Sequence, residues 1–106
     1  METKEMLKCV GEIMSSFDFV KVREVMSALN IRIGDNAYPP SVEDIKDLVL
    51  NIVTATLMLK RPFSAGGFYC EYAETPTSCK VRVYYAICET ITKSKPCIDS
   101  EDEQGL

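Results

Sequence analysis

Near the start of the chain Met6, Leu7, Val10, Ile13, Met14 and Phe17 recur at helical spacing, while Lys4, Glu5, Lys8 and Glu12 fill the other side. Residues three and four apart share a helix face, so this pattern predicts an amphipathic helix over residues 3–17, with Cys9 at the flank of its stripe. Asp18 then stands as an N-cap for a second helix, FVKVREVMSALN, whose Val22, Val25, Met26 and Leu29 again fall together. Asn30 offers a left-handed stop, and Ile31-Arg32-Ile33 reads as a short β-favouring piece before Gly34. GDNAYPP (34–40) is a loop, because the paired prolines disfavour helix at Tyr38. Ser41 caps the third and longest helix, SVEDIKDLVLNIVTATLMLK, with Glu43, Asp44 and Asp47 near its positive end. Val42, Ile45, Leu48, Val49, Ile52, Val53 and Thr56 line one face, Leu50, Leu57 and Leu59 widen it, and Pro62 ends it. So broad a face predicts burial on more than one side.

At FSAGGFYCEY (63–72) the period changes from helical to alternating. Phe68, Cys70 and Tyr72 point one way and Tyr69 and Glu71 the other; after a turn at 75–78, Val81, Val83, Tyr85 and Ile87 alternate with Lys80, Arg82, Tyr84 and Ala86. Gly66 and Gly67 lie at the change of period. A phosphate cradle needs a following helix N-terminus and a G-K-[ST] signature, neither of which is here, so we read them as a helix-to-strand joint that uses glycine's access to positive φ. The expected fold is α+β, with two N-terminal helices, a long third helix and a C-terminal antiparallel β-hairpin packed on it. A single domain is expected over residues 1–91, with residues 92–106 an acidic, disordered tail.

Composition narrows the chemistry. At 106 residues the chain makes one domain, and its 46 % hydrophobic and 26 % charged residues are those of a soluble globular protein. No apolar run has the length of a bilayer span, and METKEMLKCVGEIMSSF does not read as a signal peptide, so a cytoplasmic location and no membrane partner are expected. The formal charge is −4, half of it in the tail, where Lys93 and Lys95 meet Asp99, Glu101, Asp102 and Glu103. That balance makes nucleic acid an unfavoured partner.

Histidine is absent, which removes the imidazole base, the Ser-His and Cys-His pairs and most common metal-ligand sets. Cys70, Cys79, Cys88 and Cys97 stand nine apart, whereas zinc sites bring thiolates in close pairs. The five cysteines are therefore read as reduced thiols used as small hydrophobes, with no metal or cofactor expected. Glu43, Asp44 and Asp47 suit the helix dipole better than a cation, since no calcium-loop glycine accompanies them. The chain is not expected to be an enzyme.

The remaining candidate is the outer face of the hairpin. Tyr69, Lys80, Arg82 and Tyr84 alternate onto it, and Lys60 and Arg61 stand close in sequence to its entry. Tyrosine and arginine are favoured at protein interfaces, and aromatic plus cationic groups on a sheet also stack nucleotide bases. The plain alternative is an ordinary solvated strand face. The two edges of a lone hairpin and the broad third helix further suggest a homodimer.

The segments FDFVKVREVMSALNIRI, PPSVEDIKDLVLNIV and SAGGF resemble a group of small bacteriophage and prophage proteins of unknown function, over roughly residues 15–90. This chain departs from that pattern at Ile31, where an aromatic is usual. The resemblance implies phage origin and with it the host cytoplasm; together with the small size, acidic balance and absence of histidine, it suggests a non-catalytic accessory protein that binds a host or phage protein as inhibitor or modulator. The other function weighed is a module for a small ligand, nucleotide or single strand on the hairpin's outer face.

Overall fold

The computed structural model describes residues 3–35, 39–74 and 79–96, with backbone alone at Cys79. The middle of the 34–40 loop, the turn at 75–78, Cys97 and the tail beyond it lie outside the described residues. The elements run α1 (Thr3–Ser16), α2 (Phe19–Ala28), α3 (Val42–Leu59), β1 (Phe63–Ala65), β2 (Phe68–Glu74), β3 (Cys79–Tyr85), a 3-10 turn (Ala86–Cys88) and α4 (Glu89–Thr92). The fold is α+β, and its sheet has three antiparallel strands in the order β1-β2-β3, where two were expected.

The helix boundaries follow from local chemistry. Asp18 accepts from the Lys21 N–H at 2.9 Å and starts α2. At its far end Asn30 takes φ 55°, and the N–H groups of Asn30 and Ile31 return to the carbonyls of Ser27 and Met26. That is the left-handed stop with its orphan carbonyls satisfied. Ser41 and Asp44 cap α3 reciprocally, each side chain accepting from the other's backbone N–H. Lys60, at φ 54°, closes α3 before Pro62. No strand forms at Ile31-Arg32-Ile33; both isoleucines instead lean half-buried on the core from irregular backbone.

The core lies between α3, which touches all three strands, and α1 and α2 packed on its other sides. Ile45, Val49, Ile52, Val53 and Thr56 of α3 meet Phe68, Cys70, Val81, Val83 and Tyr85 from the sheet and Ile13, Val22 and Met26 from the other helices. Phe19, Phe17, Phe68 and Tyr85, in that order, form a ring-to-ring chain from the α1–α2 corner into the sheet, at centroid distances of 5.1, 6.2 and 4.9 Å. Cys9 is 2 % exposed, inside the core rather than at the flank of its stripe. Leu57 is buried as expected, but Leu50 and Leu59 stay exposed, so α3 is covered less widely than its composition suggests.

Three expectations change along the C-terminal half. Gly66 and Gly67, at φ 59° and 87°, form a two-residue turn between β1 and β2, closed by Ala65 opposite Phe68. Positive φ at both central residues is the hairpin turn whose twist suits the flanking strands. The joint from α3 is made instead by residues 60–62. Strand β3 stops at Tyr85, although the alternation runs on to Ile87, because β2 begins at Phe68 and leaves only the Gly67 carbonyl to take the Ala86 N–H, at 2.9 Å. Ile87 is accordingly exposed rather than on the inner face. Thr92 and Ser94 are buried, so packing continues past residue 91, where the domain boundary was drawn.

Candidate functional site

The pleat of β2 and β3 decides which side chains leave the core. Phe68 and Cys70, with Val81, Val83 and Tyr85, point toward the helices, so Tyr69 and Glu71, with Lys80, Arg82 and Tyr84, form the opposite face. The register sets Tyr69 beside Tyr84, Glu71 beside Arg82 and Ala73 beside Lys80, while Ser64 of β1 lies across from Tyr69. The rings of Tyr69 and Tyr84 stand 5.2 Å apart and tilted by 44°, a cross-strand aromatic pair. Both are half-buried.

Lys93 joins this face from beyond the strand. Its ammonium lies 5.0 Å from the Tyr84 ring centre and pairs with Glu89 at 2.8 Å. Burial, then Glu71, Glu89 and Tyr69, push the Tyr84 phenol above its ordinary value, against the pull of Lys93. It therefore stays a neutral donor at neutral pH. Arg82 lies along β3 between Lys80 and Tyr84, and its Nε is buried with no hydrogen-bond partner. A fork of donors on a sheet face, next to two rings, suits a carboxylate or phosphate carried on an apolar body.

Of the six side chains expected on this surface, Tyr69, Lys80, Arg82 and Tyr84 come together. Lys60 and Arg61 do not, because both sit exposed in the α3–β1 joint rather than on a strand. Lys93 was missed through its assignment to the tail. The available signal was the Glu89–Lys93 spacing of four, the favourable order for a helical ion pair.

Among the described residues Cys9 and Cys70 are buried, Cys88 is half-buried, and none of the three is in a disulfide. Burial pushes the Cys70 thiol up to about 11, with a hydrogen bond involving Thr56 opposing and Glu71 adding to the rise. Among the described residues no group of three or more Cys, Asp or Glu is placed to hold a metal ion. No helix of the described residues is long and apolar enough to cross a membrane. No protein-family model, curated protein or solved structure matches the chain.

Proposed function

We propose that this chain is a non-catalytic binding module of the phage-accessory kind its sequence resembles, and that it takes a host or phage protein on the outer face of its sheet. The observation that carries this reading is the Tyr69–Tyr84 pair with Arg82 and Lys93 gathered beside it. Aromatic and arginine side chains held half-buried by a rigid sheet lose little entropy on binding, and such groups dominate interface energetics. Lys80, Arg82 and Lys93 share the surroundings with Glu71 and Glu89, a mixed pattern that suits a protein surface better than a phosphate backbone.

Affinity capture with the wild-type chain and with Arg82→Ala and Tyr84→Ala tests the reading. One stoichiometric protein should be retained by the wild type and lost by both variants, whose melting temperatures stay close to wild type. Retention by all three would remove the sheet face as the site. The second reading, a nucleotide or single-strand platform, rests on the same rings and on the buried, unpartnered Nε of Arg82. Saturable binding of a nucleotide or oligonucleotide, abolished by Arg82→Ala, would put that reading first.

Self-association belongs to the same proposal. The surface best suited to a second copy is the α3 face on which exposed Leu50 and Met58 flank Thr54 at successive turns.

A further inference from the structure

An antiparallel sheet of three strands has two open edges, and this chain treats them differently. Strand β1 is three residues long and follows Pro62, which has no N–H. Counting from the Ala65–Phe68 pair that closes the turn, only Ser64 directs its backbone groups away from β2. This edge has little to offer another strand.

Strand β3 has seven residues. The Ala86 N–H bond to the Gly67 carbonyl sets the alternation, so that Tyr85 and Val83 direct their backbone groups outward. The chain's own residues 92–95 meet them there. The Ser94 N–H donates to the Val83 carbonyl at 2.9 Å, and the Val83 N–H donates to Ser94 Oγ at 2.9 Å. Two residues that exchange both bonds behave as a strand pair, except that one acceptor is a hydroxyl. Two residues further along β3 the Tyr85 N–H donates to Thr92 Oγ1 at 3.3 Å, and that hydroxyl donates in turn to the Cys88 carbonyl at 2.6 Å. Thr92 and Ser94 are the polar side chains sealed by this contact, 1 % and 2 % exposed. The Lys95 N–H bond to Ser16 Oγ, at 3.3 Å, fastens the segment to the end of α1.

We propose that the outer edge of β3 is a strand-acceptor site which the chain closes on itself, with residues 92–95 as a releasable guard, and that the strand it accepts when released is β3 of a second copy. The second copy is favoured by the register. A two-fold pairing centred on Val83 sets Val83 against itself and Val81 against Tyr85, which keeps all three on the core side. On the outer face it brings Arg82 opposite the second copy's Tyr84, so no like charges meet at those positions. The guard is held mainly by side-chain hydroxyls, which makes it removable without touching the strand.

The test uses the full chain carrying Thr92→Val and Ser94→Ala, with amide hydrogen exchange and light scattering read together. In dilute solution the Val83 and Tyr85 amides should exchange on the order of tenfold faster than in the wild type, while amides bonded between β2 and β3 keep their protection. On raising the concentration, the mass should double relative to wild type at the same concentration, and Val83 should regain protection. If both amides stay protected, the guard does not hold this edge. If they open but mass and protection do not change with concentration, the edge accepts no second copy. Either result overturns the proposal. Should the double variant lose its circular dichroism signal, Ser94→Ala alone, which keeps the Ser94 N–H on Val83, reads the same two quantities.

Discussion

Cys70 shows what a single buried thiol contributes. It faces the core beside Thr56, its Sγ–H directed at the Glu71 carbonyl at 3.8 Å, and its ionisation is displaced from 9.0 to about 11 mainly by burial. The sign follows from linkage. The unfolded thiol ionises first, so its contribution to stability is full below pH 9.0 and is lost as pH rises through about 11. Melts between about pH 8 and about pH 11 should therefore fall more steeply for the wild type than for Cys70→Ala. Equal slopes would mean the thiol is not desolvated as described. Cys70→Ser puts a hydroxyl where a thiol now lies and should cost on the order of 1–3 kcal/mol in denaturant unfolding. Alkylating reagents should reach Cys88, half-buried beyond the strand end, well before Cys70 or Cys9.

At the scale of the element, the Gly66–Gly67 turn decides how far the sheet extends. At Gly67, φ is 87° and an added Cβ would stand 3.2 Å from Cε1 of the buried Tyr85 ring. At Gly66, φ is 59° and the obstacle is the Leu48 side chain at 2.9 Å, the end of a flexible group. Gly67→Ala should cost about 1–2 kcal/mol or more, since backbone and ring both resist. Gly66→Asn should cost less, because asparagine tolerates that backbone. Urea titrations of the two variants check the order, and a Gly67→Ala variant as stable as wild type would contradict the turn.

This turn also explains what could be read in advance. The helices were legible because their stripes are long and their caps, Asp18, Asn30 and Ser41, act within a few residues. The four strand positions of the candidate face were legible because pleating needs only parity. Strand β1 was not, since Phe63-Ser64-Ala65 is too short to display alternation and pairs only once the turn has formed. The end of β3 was not legible either. Alternation runs on through Ile87, and only the start of β2, far away in sequence, removes the partner. Lys60 and Arg61 were misplaced for a related reason, as nearness in sequence is not membership of a face.

For the whole molecule the open question of association becomes one of surfaces. While residues 92–95 stay closed on β3, and with β1 so short, no sheet edge is free for a second copy, which leaves the helical side to the guarded chain. Leu50 and Met58 are 40 % and 68 % exposed on α3. Light scattering at high micromolar concentration should give twice the 11.9 kDa chain mass, and Met58→Glu should return it to the single-chain value. A single-chain mass for the wild type would leave the apolar side chains of α3 as ordinary surface.

Lys93 and Ser94 are neighbours in sequence but serve different places, one lying on the Tyr84 ring and the other bonded to Val83. A ligand that displaces the ammonium from that ring acts on the residue adjoining the edge contact. Occupancy of the sheet face and release of the edge then share one free energy of coupling. Reciprocity requires that whatever the ligand does to the release equilibrium, release does in equal measure to the ligand's affinity.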